Sequence, residues 1–191
     1  MSRPPVLLAL VVAAMLAACA SPSGNAGGAP SSEPRRGGAA KGVPERFTIV
    51  PDDYHVPYAG TAADGRKFFL SEELFSFGTA PDAGTAYVGL FLWRADGTFD
   101  EIRVDEVPRP DGLPPGQAGP AGADDLVAER LAELGDYVLE PIEVEPFTEK
   151  VDGVTFGWKV GRYDDGSYYI NIEPGDFIAY YEPWDGLDYD T

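Results

Sequence analysis

The sequence predicts an α+β domain in which a largely antiparallel, twisted sheet packs against one helix. Short apolar stretches alternate with turn pairs such as Asp64-Gly65 and Asp96-Gly97, which is typical of β-hairpins. Only residues 124–134 show the apolar spacing of an amphipathic helix. The ten Phe, ten Tyr and three Trp residues all follow residue 45. They can form a core without disulfides, which matters because the chain has one cysteine.

The predicted strands are apolar segments bounded by turn residues: residues 47–50, 67–70, 86–93, 98–104, 137–147, 154–163, 168–173 and 177–181. Pro51 stops the first strand, and the second begins after Asp64-Gly65. In the third strand both alternating sets of side chains are apolar, so we expect a central strand covered on both faces. The turn at residues 95–97 joins the third strand to the fourth as a hairpin.

A predicted loop and the predicted helix follow. Residues 107–122 are rich in Pro and Gly, which predicts a long and mobile surface loop. In the helix at residues 124–134, Asp124 or Asp125 caps the N-terminus and Gly135 suits the position after the C-terminus. Its apolar stripe consists of Leu126, Val127, Leu131 and Leu134.

After the helix, the sequence predicts one strand interrupted by prolines and three strands joined by short turns. Pro141 and Pro146 interrupt the fifth strand, which predicts an edge or irregular strand. The sixth and seventh strands pair across the turn at residues 164–166, and the turn at residues 174–176 leads into the last strand. In the seventh, two alternating sets predict a half-buried strand: Tyr168, Ile170 and Ile172 against Tyr169, Asn171 and Glu173.

The charge of the chain excludes one class of partner. There are 14 basic and 32 acidic residues, which gives a formal net charge of −18. Such a field repels nucleic acid and anionic lipid surfaces, so we exclude nucleic-acid binding. Two explanations of the acidity stay open: it keeps the domain soluble, or it attracts a cation or a basic partner.

The first residues have the composition of an export signal. Arg3 precedes an apolar run at residues 6–20, which is shorter than the ~20 residues of a membrane-spanning helix. Near its end, Leu16-Ala17-Ala18-Cys19 resembles the lipobox of bacterial lipoproteins. The resemblance implies that residues 1–18 are a cleaved signal peptide. It also implies that Cys19 receives a diacylglycerol and an amide-linked acyl chain such as palmitate, enough for stable anchoring.

Two other interpretations of this segment stay open. Ala18-Cys19-Ala20 also fits an ordinary A-x-A cleavage site, which would release a secreted protein, and an uncleaved run would be a membrane anchor. Residues 19–44 are predicted to be a flexible linker because they consist mainly of Ser, Pro, Gly and Ala. Residues 45–191 are predicted to form a single globular domain. The lipobox places that domain at the cell membrane or outer membrane, facing outside the cytoplasm.

Three further stretches resemble a group of uncharacterised bacterial proteins, some of them labelled formate hydrogenlyase regulatory proteins. These stretches are residues 44–47, residues 87–91 with 95–97, and residues 180–186. The resemblance implies no activity and no residue role, since an exported lipoprotein is separated from cytoplasmic transcription.

The sequence has no recognisable catalytic or cofactor motif. His55 is the sole histidine, no serine is marked out as its partner, and we predict a turn or surface position for it. One histidine and one lipidated cysteine argue against zinc, and no cofactor is expected. Weak candidates for a metal site are Asp185, Asp188 and Asp190, whose carboxylates suit Ca²⁺ without the spacing of an EF-hand loop. The alternative is a solvated acidic tail.

Five aromatic side chains form either a core or a surface that stacks on a ligand: Trp93, Trp158, Trp184, Tyr180 and Tyr181. We expect the core. The leading functional hypothesis is a non-enzymatic binding or scaffolding domain that meets an envelope protein, a glycan or a basic partner. The alternative is a cell-envelope hydrolase acting on glycan or peptide. A deep pocket with two or more carboxylates and a perturbed pKa would favour the hydrolase, and a flat, exposed aromatic patch would favour the binding domain.

Overall fold

The computed structural model describes residues 42–78, 84–108, 120–187 and 189–191. The predicted signal peptide, Cys19, the linker up to residue 41, residues 109–119 of the predicted loop, and Asp188 lie outside the described residues. The described strands are β1 Phe47–Ile49, β2 Tyr58–Ala62, β3 Lys67–Phe77, β4 Gly84–Trp93, β5 Phe99–Glu106, β6 Tyr137–Leu139, β7 Ile142–Val144, β8 Thr148–Val151, β9 Val154–Arg162, β10 Tyr168–Glu173, β11 Ala179–Tyr180 and β12 Tyr189–Asp190. The helix α1 spans Pro120–Leu134.

The predicted α+β fold class is confirmed, with strands making up 50% of the described structure and pairing antiparallel. The strands form three sheets among the described residues, where the sequence predicted one. The central sheet has the order β5-β4-β3-β2-β6, and the outer sheet has the order β12-β11-β10-β9-β8. The third sheet is the short pair β1-β7.

The central sheet lies between two apolar layers. On one face, Leu90 packs in a cluster with Val127 and Leu134 of α1. On the other face, Phe91 belongs to a cluster that includes Trp158 of the outer sheet and residues of the β1-β7 pair. The prediction of a central strand covered on both faces is therefore confirmed for β4.

The helix differs from its prediction at one end. It begins at Pro120, so the prediction that Asp124 or Asp125 caps its N-terminus is wrong, and both residues lie within the helix. Proline suits the first turn because it has no N–H to satisfy and its φ is fixed. Gly135 ends the helix as predicted, with a φ of +68°. Arg130 fixes α1 to β5, since its Nε and Nη2 donate to the two carboxylate oxygens of Asp105 at 2.6 and 2.7 Å. No helix in the described parts of the chain has the length and apolarity needed to cross a membrane.

Two strands of the central sheet depart from the sequence pattern. The sequence did not predict β2, which is rich in small residues and contains Gly60. A Cβ at Gly60 would lie 1.9 Å from the carbonyl oxygen of Val138, so glycine is needed for the close approach of β6. The predicted strand at residues 137–147 divides at Pro141, and its first part, β6, is an edge strand as predicted.

The outer sheet contains the predicted hairpin of β9 and β10. The predicted half-buried alternation in β10 is wrong at Asn171, which is only 5% exposed and lies between the buried Ile170 and Ile172. Its side chain points to the face opposite the two isoleucines, where Nδ2 donates to Oδ1 of Asp176 at 2.6 Å across the following turn.

Candidate functional site

The outer sheet forms a cleft with a volume of about 350 Å³. We call it the tyrosine cleft. Its lining residues come from the ends of β9 to β12 and their turns: Tyr163, Tyr169, Asp176, Ala179, Tyr181, Asp190 and Thr191. The site thus combines three phenol rings with two side-chain carboxylates.

Strand pairing brings these side chains to one face. Successive residues of a strand point to opposite faces, so Tyr169 and Asn171 share a face of β10. Asn171 pairs with Ala179, and Ala179 pairs with Asp190. The ladder therefore places Asp190 two strands from Asn171 and on the same face.

A glycine provides the space for one ring. Tyr169 lies opposite Gly161 in the β9-β10 ladder. A Cβ at Gly161 would lie 2.0 Å from Cζ of Tyr169, so the ring occupies the space above the glycine backbone. An aromatic ring over a strand glycine restores packing that the glycine lacks.

The other two rings face each other. Tyr163 and Tyr181 have ring planes 14° apart and centroids 6.4 Å apart, and their hydroxyl oxygens are 3.2 Å apart. The hydrogen bond with Tyr163, then burial, and then the charges around it raise the pKa of the Tyr181 hydroxyl well above its ordinary value. Asp190 contributes to this shift by charge and by a hydrogen bond. The Tyr181 hydroxyl therefore stays neutral and remains a donor.

Asp176 is one of the residues that line the tyrosine cleft. It has a φ of +53°, a conformation that Asp and Asn tolerate better than most residues. Its N–H donates to the carbonyl of Ile172 at 3.2 Å, and its Oδ1 accepts the hydrogen bond from Asn171. The Oδ1 atom of Asn171 is buried and has no hydrogen-bond partner among the described residues. The amide thus fixes the carboxylate and leaves one acceptor unsatisfied.

Most of the aromatic residues singled out in the sequence lie elsewhere. Trp93, Trp158 and Tyr180 are at most 1% exposed and belong to the core, as expected. Trp184 packs against the core, and its carbonyl accepts a hydrogen bond from the N–H of Thr48 at 2.8 Å. Only Tyr181 of this group lines the tyrosine cleft.

Sequence reasoning missed Tyr163 and Tyr169 as functional candidates. The available signal was their position, since Tyr169 alternates with buried isoleucines in β10 and Tyr163 follows β9 directly. Tyr163 is 47% exposed, which is unusual for a large ring beside a core.

His55 lies in the turn between β1 and β2, as predicted, but it is not a free surface residue. Its Nδ1 lies 2.5 Å from Oε2 of Glu73, and the side chain is 15% exposed. The ring also contacts Tyr54 and Phe177. This histidine joins the turn to β3 and to the turn before β11.

The weak metal candidates do not form a described cluster. Asp185 accepts a hydrogen bond from the N–H of Leu187 at 3.1 Å, and Asp190 lines the tyrosine cleft. Asp188 lies outside the described residues. Within the described ranges, no group of three or more His, Cys, Asp or Glu side chains is arranged to hold a metal ion.

Comparison with protein-family models, with curated proteins and with solved structures finds no match to this chain. The function has to be argued from the chemistry of the cleft. Phenol rings offer flat apolar faces with negative potential, and carboxylates accept hydrogen bonds and attract positive charge. This arrangement suits ligand binding.

Proposed function

We propose that the protein is a lipoprotein held outside the cytoplasm through lipid on Cys19, and that its domain is a non-enzymatic binding module. The lipobox-like sequence and the single cysteine support the anchor. The acyl chains of the diacylglycerol and the amide-linked acyl chain on Cys19 retain the domain at the cell membrane or outer membrane. The acidic chain is repelled by anionic headgroups, which favours a domain held off the bilayer by its linker.

The tyrosine cleft is the single observation that supports binding. Three rings and two carboxylates line one concavity, and Tyr163 is 47% exposed at its edge. Exposed aromatic side chains beside hydrogen-bonding groups are typical of recognition surfaces, because they bury apolar area with little loss of conformational entropy. We assign ligand binding to Tyr163, Tyr169 and Tyr181.

A binding assay against envelope material tests this function. Wild-type protein purified from membranes is immobilised in detergent and exposed to solubilised envelope extract, and the bound mass is recorded. We expect Tyr163→Ala with Tyr181→Ala to bind severalfold less. Tyr137→Ala, which removes a 37% exposed tyrosine from β6, is the matched control and should bind like the wild type. Equal binding by all three proteins contradicts the proposal.

A second candidate function is a cell-envelope hydrolase acting on glycan or peptide. The observation that favours it is that Asp176 and Asp190 line the same cleft, since glycoside hydrolysis uses two carboxylates. It predicts release of soluble products from envelope glycan or peptide, abolished by Asp176→Asn and by Asp190→Asn. The binding function predicts no product from any of these proteins.

A further inference from the structure

The tyrosine cleft is rich in acceptors. Asp176 and Asp190 contribute carboxylate oxygens, which only accept hydrogen bonds. The hydroxyls of Tyr163 and Tyr181 are 3.2 Å apart and hydrogen-bond each other, and the Tyr181 hydroxyl also hydrogen-bonds Asp190. A ligand that fills this cleft therefore has to supply donors.

Asn171 adds a buried acceptor on the same face. The residue is 5% exposed, and its Oδ1 has no partner among the described residues. Its Nδ2 holds Asp176, so the free oxygen lies beside a residue of the cleft wall. A buried acceptor without a partner destabilises the folded protein relative to a satisfied one.

The side chains that line the cleft carry negative charge only. No lysine or arginine is among the described residues that line the cleft. Lys159, opposite Asn171 on the same sheet, pairs with Glu173 at 3.1 Å, and its charge also acts on Asp176 from outside the lining. Arg66, Arg103 and Arg130 pair with carboxylates around the central sheet and α1. The carboxylates of Asp176 and Asp190 thus lack a basic partner within the described lining.

The rings favour the same kind of ligand. The face of a phenol ring attracts a cation placed within about 6 Å of its centroid. A volume of about 350 Å³ is at the small end of ligand pockets, enough for one side chain rather than an extended polymer. A sugar hydroxyl can also donate to a carboxylate, but it brings no positive charge to Asp176 and Asp190 or to the ring faces.

We infer that the tyrosine cleft binds a protonated primary amine, presented as the side chain of a lysine in a basic protein partner. The ammonium group donates to Asp176 and Asp190, and its alkyl chain packs against the rings of Tyr163, Tyr169 and Tyr181. An ammonium group has three donors and no acceptor, which matches the acceptors of the cleft. The inference rests on the proposed binding function and names its ligand class.

Isothermal titration of the purified full chain tests this inference. The probe is Nα-acetyl-lysine methylamide, and the charge-free control is the same compound acetylated at Nε. We expect saturable binding of the amine only, weakened by added salt because screening reduces the attraction. Asp176→Asn and Asp190→Asn should each lower the affinity about tenfold, the effect of losing one charge-assisted hydrogen bond. Both substitutions keep the side-chain shape, and asparagine tolerates the positive φ at position 176.

Asp136→Asn is the matched control, since it removes one exposed charge from the residue before β6. It should bind the amine like the wild type. If the Nε-acetylated compound binds as well as the amine, or if Asp136→Asn weakens binding as much as the cleft variants, the inference is wrong while ligand binding at the cleft stands. If neither compound binds, the inference is also wrong. A different result contradicts the proposed binding function: in the envelope-binding assay, the variant without the rings of Tyr163 and Tyr181 binds as much material as the wild type.

Discussion

The hydroxyl of Tyr189 donates a 2.5 Å hydrogen bond to Oδ2 of Asp52, which lies 137 positions earlier in the chain. The other carboxylate oxygen of Asp52 accepts from the N–H groups of Tyr54 and Val56 at 2.8 and 3.0 Å. One carboxylate therefore shapes the turn before β2 and also fixes β12. Asp190, the next residue of β12, lines the tyrosine cleft, so the position of the cleft wall depends on this hydrogen bond.

The Asp52–Tyr189 pair predicts a pH dependence of stability on both the acidic and the alkaline side. Burial raises the pKa of Asp52, but the hydrogen bonds from Tyr189 and the backbone lower it by more, so the net pKa falls below its ordinary 3.8. That stabilisation is present above about pH 4 and is lost as the pH falls through the lowered pKa. Burial and the bond to Asp52 raise the pKa of Tyr189 to about 12 from 10.0. That stabilisation is present below pH 10 and is lost as the pH rises toward 12.

Tyr189→Phe removes the hydrogen bond and keeps the ring. Thermal midpoints measured across the pH range should therefore fall less steeply for this variant than for the wild type, below pH 4 and above pH 10. Tyr137→Phe serves as the control and should follow the wild-type profile. Parallel profiles for wild type and Tyr189→Phe would show that the hydrogen bond does not contribute to stability.

Shortening a buried side chain of the central strand β4 should strongly lower the free energy of unfolding. Leu90 is 0% exposed and lies in the cluster between the central sheet and α1. Leu90→Ala should lower the free energy of unfolding by about 2–5 kcal/mol, through lost burial and an unfilled cavity. Val138→Ala, at a 60% exposed strand position, should change it by less than about 0.5 kcal/mol. Chemical denaturation measures both values, and similar values for the two variants would contradict the assignment of β4 to the core.

Substitution of Gly161 should reduce ligand binding at the cleft without unfolding the protein. Gly161→Ala places a Cβ 2.0 Å from the Tyr169 ring, which is the far end of a rotatable side chain. We expect the ring to swing away, with the fold retained and ligand affinity reduced. Gly42→Ala is the control, because nothing lies within 4 Å of its added Cβ. In a Tyr169→Ala background the effect of Gly161→Ala on affinity should vanish, as a double-mutant cycle can show. An unchanged effect in that background would mean that Gly161 acts on binding by another route.

Retention of the protein in the membrane fraction should depend on Cys19. Cys19→Ala should move it from the membrane fraction to the soluble or precursor pool and abolish incorporation of labelled fatty acid, because the acyl chains provide the retention. Fractionation of cells expressing the two proteins measures this. If the variant stays in the membrane fraction and still incorporates fatty acid, the lipoprotein assignment is wrong.

Local patterns were sufficient for the hairpins and for the central strand. The pair β9-β10 and the strand β4 could be predicted because turn residues and alternating side chains lie close together in sequence. The division into three sheets could not be predicted from local patterns. It depends on pairings such as Phe47 with Val144, for which distant segments must meet and which no local pattern encodes. The strand β2 was missed because its small residues have weak strand preference.

The candidate site was harder to predict than the fold. The sequence singled out the three tryptophans with Tyr180 and Tyr181 and predicted a core position for them. Trp93, Trp158 and Tyr180 have that position because they bury a large apolar area. Tyr163 and Tyr181 are 18 positions apart and meet only through the order of strands in the outer sheet. The hydrogen bond from Asn171 to Asp176 spans a turn, and nothing in the sequence distinguished this amide from an exposed one.

Tyrosine-ring NMR tests the central claim, that the tyrosine cleft is the ligand site, most directly. The rings are labelled with ¹³C, and Nα-acetyl-lysine methylamide is added to the full chain in detergent. We expect saturable shifts for Tyr163, Tyr169 and Tyr181, which line the cleft, and none for Tyr137 on β6. Shifts that spare the three cleft rings, or that appear equally at Tyr137, would contradict it.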